Sequence, residues 1–215
     1  MKFVMMQKAL GPLQTNAIVI YDEDSKQAVA IDPSFQPEPL IEWAEQESAT
    51  ISQIWITHGH PDHTGGVPAL LRALPNSPQI LISQEAYEMT QRQGNAFYGL
   101  ALEPFPEPTR FIEHGDKLGF SGVDEEDFIA EVRFAPGHAP GSVVFYVPET
   151  GMAVVGDVIF LEGIGRWDFE GGDLALLRKS IREQVFTLPD ETVLLPGHGP
   201  ATSVAWEKAH NPYMQ

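Results

Sequence analysis

No cysteine occurs among the 215 residues of this chain. Disulfides are thereby excluded, and so is thiolate as a metal ligand. A transition-metal site would have to be built from imidazole and carboxylate, the donors zinc accepts where thiolate is missing. Basic residues are scarce: 13 Lys and Arg stand against 30 Asp and Glu, a formal net charge of −17. Such a surface repels nucleic acid and anionic bilayers, since phosphate neutralisation drives binding to both, so neither is expected as a partner. No apolar run approaches the roughly 20 residues of a membrane span. The segment Phe3-Val4-Met5-Met6 before Gln7-Lys8 is too short for the core of a signal peptide. The expectation is a cytoplasmic protein. No linker or low-complexity stretch interrupts the chain, and its length suits one sizeable core, so one domain over 1–215 is expected. The acidic run Asp124-Glu125-Glu126-Asp127 reads as a solvated turn between strands, because like charges so close repel and seek water.

What is present is a mixture of periods. Short runs rich in Val and Ile, bounded by Gly, Pro or Asp, predict strands at 18–21, 28–31, 54–57, 79–82, 143–147, 152–155 and 192–195. Ala130, Val132 and Phe134 alternate with Glu131 and Arg133, as in a half-buried strand over 128–134. Val67, Leu70, Leu71 and Leu74 recur at helical spacing, with Pro68 tolerated in the first turn. Leu174, Leu177, Ile181 and Val185 form a second stripe, with Asp173 placed to cap it. Leu40, Trp43 and Ala44 suggest a third helix, and Ser83 the cap of a fourth reaching Arg92. Mixed strands and helices predict an α/β or α+β architecture of helices packed on sheets.

Histidine carries the chemistry. The run Thr57-His58-Gly59-His60-Pro61-Asp62-His63-Thr64-Gly65-Gly66 gathers three imidazoles and a carboxylate. His58 and His60 follow a predicted strand, and residues two apart on an extended chain point to one side, so both imidazoles reach one ion. Pro61 turns the chain; Asp62 and His63, being adjacent, diverge toward a second ion. His138 and His198 each sit in a Pro-Gly-His loop, where a scaffold commonly displays functional groups. Asp157 ends the apolar run Val154-Val155-Gly156, a place from which its two oxygens can bridge a pair of ions. His114 and His210 read as surface residues.

The motif His58-x-His60-x-Asp62-His63, followed in order by His138, Asp157 and His198, closely resembles the metallo-β-lactamase superfamily. The resemblance extends from Gly11-Pro12-Leu13-Gln14-Thr15-Asn16 to Asn211-Pro212-Tyr213. It implies an αββα sandwich with two divalent metal ions at the strand ends along one edge. It implies His58, His60 and His138 on the first ion, Asp62, His63 and His198 on the second, and Asp157 bridging; Asp62 also stands as the candidate catalytic residue. Zinc is the expected metal, with iron or manganese as alternatives. Members that use a cysteine at the second metal are disfavoured by its absence, and the superfamily's nucleases by length and charge. Gly163-Ile164-Gly165-Arg166-Trp167-Asp168, with Gly171-Gly172-Asp173, looks like the corresponding segment of short glyoxalase II-like hydrolases. The helical domain with which larger glyoxalase II enzymes grip glutathione has no counterpart between His198 and Gln215.

Hydrolysis of acyl thioesters of the S-lactoylglutathione type follows as the expected activity, through a metal-bridging hydroxide. Metals lower the pKa of bound water toward ~7, and a thiolate leaving group, with a thiol pKa of ~8.5, needs no strong general acid. The alternatives are a mononuclear-iron persulfide dioxygenase-like oxidoreductase, using two histidines and one carboxylate such as His58, His138 and Asp157, and a non-catalytic metal-binding module. The partner is a small-molecule substrate, and the sequence sets neither its acyl group nor an oligomeric state. Arg166 is either half of a structural ion pair within its loop or a contact to a substrate carboxylate. The stretch 94–109, with Phe97, Tyr98 and Phe105, reads either as a substrate-facing lid or as a loop pinned by aromatic burial; the pinned loop is expected, with Phe97 or Tyr98 near the substrate.

Overall fold

A computed structural model describes residues 3–120, 122–123 and 128–215. The acidic run 124–127 lies outside the described residues. The chain divides into two compact units, Met1–Phe111 and Ile112–Gln215.

The first unit carries strands β1 (Phe3–Leu10), β2 (Thr15–Asp22) and β3 (Gln27–Ile31), helix α1 (Glu38–Glu47) and strand β4 (Thr50–Trp55). Helices α2 (Pro61–Thr64) and α3 (Val67–Ala73), strand β5 (Gln79–Ile82) and helix α4 (Gln84–Gln91) follow. A small hairpin of β6 (Ala96–Phe97) and β7 (Leu100–Ala101) precedes β8 (Arg110–Phe111). The sheet order is β1-β2-β3-β4-β5-β8. Its first two pairings are antiparallel and the other three parallel. Strands β2 and β3 are buried almost throughout, which is why they read as continuous apolar runs rather than alternating ones. The apolar faces of α1 (Leu40, Ala44) and α3 (Val67, Leu70) join Val19, Ala30, Ile54, Ile56 and Ile82 in one core. Ser83 caps α4 as expected, its hydroxyl accepting from the Ala86 amide at 3.3 Å. Strand β4 starts earlier than its apolar run and stops at Trp55, because the Thr57 amide turns to the carboxylate of Asp32 at 2.8 Å instead of a ladder partner.

The second unit holds β9 (Lys117–Gly119), β10 (Gly122–Val123), β11 (Phe128–Phe134), β12 (Val143–Val147) and β13 (Met152–Gly156). The hairpin β14 (Ile159–Phe160) and β15 (Gly163–Ile164) leads to α5 (Leu174–Ser180). Strands β16 (Val193–Pro196) and β17 (Thr202–Ser203) and helix α6 (Val204–His210) complete it. The sheet order is β10-β9-β11-β12-β13-β16-β17. Asp173 caps α5 by accepting from the Leu176 amide at 2.9 Å. The predicted stripe continues past α5, but Ile181–Val185 form a π-helical turn. Arg133 closes that turn, donating to the Gln184 carbonyl at 3.2 Å and to the Thr187 hydroxyl at 3.0 Å. Leu177, Ile181 and Val185 pack with Val144, Val155 and Leu194.

No helix among the described residues is long and apolar enough to cross a membrane.

Candidate metal centre

Topology delivers the first group of candidate ligands. Strands β3 and β4 are parallel, with Ile31 beside Trp55, so the segments leaving their C-terminal ends emerge together. One carries Asp32 and the other Thr57 to His63. His60 is extended, and Pro61 opens α2, so Asp62 and His63 lie on its first turn. Two glycines make this possible. A Cβ at Gly59 would stand 2.4 Å from the Ala86 carbonyl oxygen, and one at Gly66 would stand 2.0 Å from that of Ser34.

His58 and His63 are buried, at 1% and 0% exposure. His58 Nε2 lies 3.0 Å from His60 Nδ1, and the His58 and His63 ring centroids are 4.1 Å apart. His63 Nε2 lies 3.5 Å from Asp62 Oδ2, and Asp62 also accepts from the Thr15 hydroxyl at 3.1 Å.

Behind these side chains stands Asp32, 2% exposed. Its Oδ2 receives the Thr57 hydroxyl at 2.6 Å and meets His63 Nδ1 at 2.8 Å. A carboxylate can only accept there, so His63 carries its proton on Nδ1 and its lone pair on Nε2. The Thr57 hydroxyl spends its one hydrogen on Asp32, so toward His58 Nδ1, 3.0 Å away, it accepts. His58 is thereby also protonated on Nδ1, with the Nε2 lone pair outward. An outer carboxylate or carbonyl fixing the tautomer in this way is the usual support of a ligating imidazole. Asp32, Thr57 and Thr15 were not singled out from the sequence. The available signal was an acid ending the apolar run 28–31, the same signature that marked Asp157.

The second unit assembles its group from three loops. Strand β11 and strand β13 are both antiparallel to β12, and β16 is parallel to β13, so all three run the same way and release their loops at one end. These loops carry His138, Asp157 and His198. Asp157 Oδ2 lies 3.6 Å from His138 Nε2 and 3.5 Å from His198 Nε2. His138 Nδ1 donates to the Arg166 carbonyl at 2.7 Å, which places the proton on Nδ1 and the lone pair on Nε2 in the same sense as His63. Gly165 is required here, because a Cβ on it would stand 1.9 Å from the Asp157 carbonyl oxygen and 3.0 Å from the His138 ring.

Both groups suit a divalent metal. Ligand atoms ~2.0–2.1 Å from a tetrahedral ion are separated from each other by about 3.3 Å. The spacings of 3.5 to 3.6 Å between imidazole nitrogen and carboxylate oxygen are longer than ordinary hydrogen bonds and close to that edge. The donor set is imidazole and carboxylate throughout.

The predicted substrate contacts fare differently. Arg166 forms a fork with Asp168, at 3.0 and 2.9 Å, and its guanidinium lies 3.9 Å from the Phe169 ring centroid. This ion pair within the loop is one of the two readings its sequence left open. The Arg166 fork holds the Asp168 carboxyl below the ordinary aspartate range. Phe97 is pinned, its ring stacked 5.9 Å from that of Phe35, and Phe105 is buried. Tyr98 instead stands 72% exposed at the β6–β7 turn, where Tyr98 and Gly99 both have positive φ. His114 and His210 are exposed, as expected.

Oriented imidazoles and carboxylates displayed at strand ends are donors that a divalent metal takes. The match to the metallo-beta-lactamase superfamily model spans residues 10–198. The chain belongs to that superfamily, whose members are usually metal-dependent hydrolases, and has its fold, mixed sheets with helices of the α+β kind. It is similar to the hydroxyacylglutathione hydrolase GloC of Haemophilus influenzae, 33% identical over 94% of this chain and 93% of that protein. The mitochondrial persulfide dioxygenase ETHE1 of Homo sapiens is 30% identical over 91% of this chain and 68% of its own length. Among solved structures, the B3 metallo-beta-lactamase BLEG-1 matches with a TM-score of 0.88 and 33% identity, covering 98% of this chain and 99% of that one. TTHA1623 in a di-iron-bound form matches with a TM-score of 0.85 and 33% identity, covering 97% and 99%.

Proposed function

We propose that the chain is a binuclear metal-dependent hydrolase of acyl thioesters, of the S-lactoylglutathione type, working as one catalytic domain over 1–215. His58, His60 and His138 would hold one ion, Asp62, His63 and His198 the other, and Asp157 both. Zinc is the metal proposed, with iron or manganese able to use the same donors. The observation that carries this reading is the fixed tautomer of His58, His63 and His138, each presenting Nε2 while a built partner holds Nδ1. Similarity to GloC supports the substrate class. A cytoplasmic location is proposed as well, and the −17 net charge supports the absence of nucleic-acid or anionic-membrane partners.

When bound, such ions supply a nucleophile at neutral pH and positive charge for a developing oxyanion. The chain's own part is orientation. Asp32 holds His63 directly and His58 through the Thr57 hydroxyl, so one buried carboxylate sets two rings. The Arg166 carbonyl sets His138 while the Arg166 side chain, paired with Asp168, is the candidate contact for a substrate carboxylate. Phe97, held on Phe35, and exposed Tyr98 are the candidate apolar contacts. Asp62, fixed by Thr15, is the candidate catalytic carboxylate.

A second reading, a mononuclear-iron persulfide dioxygenase, draws support from the similarity to ETHE1. One experiment separates them. Zinc-loaded protein is expected to hydrolyse S-D-lactoylglutathione, with His58→Ala reduced to background. No turnover with metal bound, together with oxygen uptake on glutathione persulfide by the iron-loaded protein, would replace the hydrolase reading with the second.

A further inference from the structure

The segment between Asp157 and Arg166 has an unusual task. Asp157 precedes the β14–β15 hairpin, and the Arg166 carbonyl that orients His138 follows it. Two candidate metal ligands therefore depend on one short hairpin. Its strands pair over two residues each, Ile159 with Ile164 and Phe160 with Gly163. A two-stranded ribbon of this size has little stability of its own. Its turn also contains Glu162 at a φ of 55°, a left-handed conformation that L side chains disfavour.

The C-terminal segment grips this hairpin at successive points. Glu207, on α6, is fully buried. Its carboxylate accepts the Glu162 amide at 3.3 and 3.1 Å. The Thr202 hydroxyl donates to the same carboxylate at 2.5 Å and the Asn211 amide group at 2.7 Å. Asn211, also fully buried, donates in addition to the Gly163 carbonyl at 2.9 Å. The Trp206 indole donates to the Glu162 carboxylate at 3.2 Å. Beyond the hairpin, the Trp167 and Tyr213 rings meet edge to face at 6.0 Å. A carboxylate taken fully out of water is costly unless several donors satisfy it. Here the donors come from the hairpin turn and from the segment that holds it, so the carboxylate and the turn depend on each other.

We propose that Glu207 and Asn211 are positioning residues for the metal centre, bracing the 159–164 hairpin so that Asp157 and the carbonyl orienting His138 stay in register. The inference rests on the binuclear reading of the site. Neither side chain touches a candidate ligand; both act through the hairpin backbone. Glu207→Gln exchanges an oxygen acceptor for an amide donor facing either the Glu162 amide or the Thr202 and Asn211 donors. Asn211→Ala removes the bond to Gly163, one bond to Glu207 and the bond that its Oδ1 accepts from the Tyr213 amide at 3.1 Å. Thr202→Val is the contrasting change, since it strips a donor from Glu207 and leaves the bonds to Glu162 and Gly163 in place.

The test is cobalt(II) and zinc(II) binding by the full-length protein, by chelator competition, with the visible cobalt spectrum as a coordination signature and thermal melting of the metal-free protein alongside. Loss of an outer support typically weakens metal binding by ~10–100-fold. Glu207→Gln and Asn211→Ala are expected to fall in that range with an altered cobalt spectrum. Thr202→Val is expected to lower the melting temperature with affinity and spectrum unchanged. If Glu207→Gln does not fold, Asn211→Ala carries the test. Wild-type affinity and spectrum in Asn211→Ala, or an equal loss of affinity in Thr202→Val, would overturn the proposal. Separately, His138→Ala binding metal as wild type does would overturn the binuclear reading and leave the brace a matter of stability.

Discussion

The two units present candidate ligands in contrasting ways. In the first, four ligands come from one decapeptide, and a single buried carboxylate, Asp32, stands behind two of the three imidazoles. In the second, His138, Asp157 and His198 come from three loops, and orientation is supplied by backbone: the Arg166 carbonyl for His138 and the Gly197 amide on the Gly156 carbonyl, at 2.8 Å, beside His198. The first group is also drier, with His63 at 0% side-chain exposure against 28% for His198. A local motif backed by a buried acid is rigid by construction. A dispersed set owes its geometry to strand register and to whatever holds the intervening loops.

That contrast predicts a graded set of responses. The largest belongs to His58→Ala, which removes a ligand from the compact group and is expected to reduce thioester turnover to background in a steady-state assay. Gly66→Ala should come next. Its Cβ would stand 2.0 Å from the Ser34 carbonyl oxygen, a backbone clash that cannot be relieved by a rotamer change. A loss of about 1–3 kcal/mol or more is expected from urea unfolding. Asp32→Asn should act more gently on stability and more selectively on metal. Because it replaces an acceptor facing His63 Nδ1 by a group that is half donor, zinc affinity should drop ~10–100-fold, measured by chelator competition. Unchanged zinc affinity in Asp32→Asn would show that the buried carboxylate does not set the compact group, and would erase the contrast.

The smallest effect is electrostatic. Asp168 titrates below the ordinary aspartate range because of its hydrogen bonds to Arg166. A depressed carboxyl contributes stability above its unfolded-state pKa and loses it as the pH falls through the folded value. The pair is exposed, at 63% and 62%, so the contribution to folding is small. An NMR titration of Arg166→Gln should show Asp168 moving upward toward the usual value, with the melting temperature nearly unchanged.

Legibility from sequence follows the same division. The compact group suggested itself directly, since three histidines and an acid within six residues have no ordinary structural use, and the structure sets His58 against His60 and His63. Strands β5, β11 and β12 match their apolar runs end to end, and the caps Ser83 and Asp173 do what their residue types suggest. Edge strand β1 was not predicted, because its burial is partial and irregular and it gains its form by pairing with β2. Helix α6 leaves no mark in the sequence pattern, since seven residues give too short a period to register. Asp32 carries only a weak local signal, because a lone acid before proline is ordinary in a turn; its place against His63 and Thr57 comes from the parallel pairing of β3 with β4, which no local pattern encodes. Glu207 shows the same limit more sharply. A glutamate on a short, polar helix reads as solvent-facing, yet three donors separated in sequence enclose it.

The central proposal is that His58, His60, Asp62, His63, His138, Asp157 and His198 hold two ions, and metal counting on the full-length protein tests it most directly. Wild-type protein loaded with zinc and passed through a desalting column should retain two ions per chain. His58→Ala, in the first unit, and His198→Ala, in the second, should each lose retained metal and thioester turnover together. Two ions kept in His198→Ala with unchanged turnover would contradict the account.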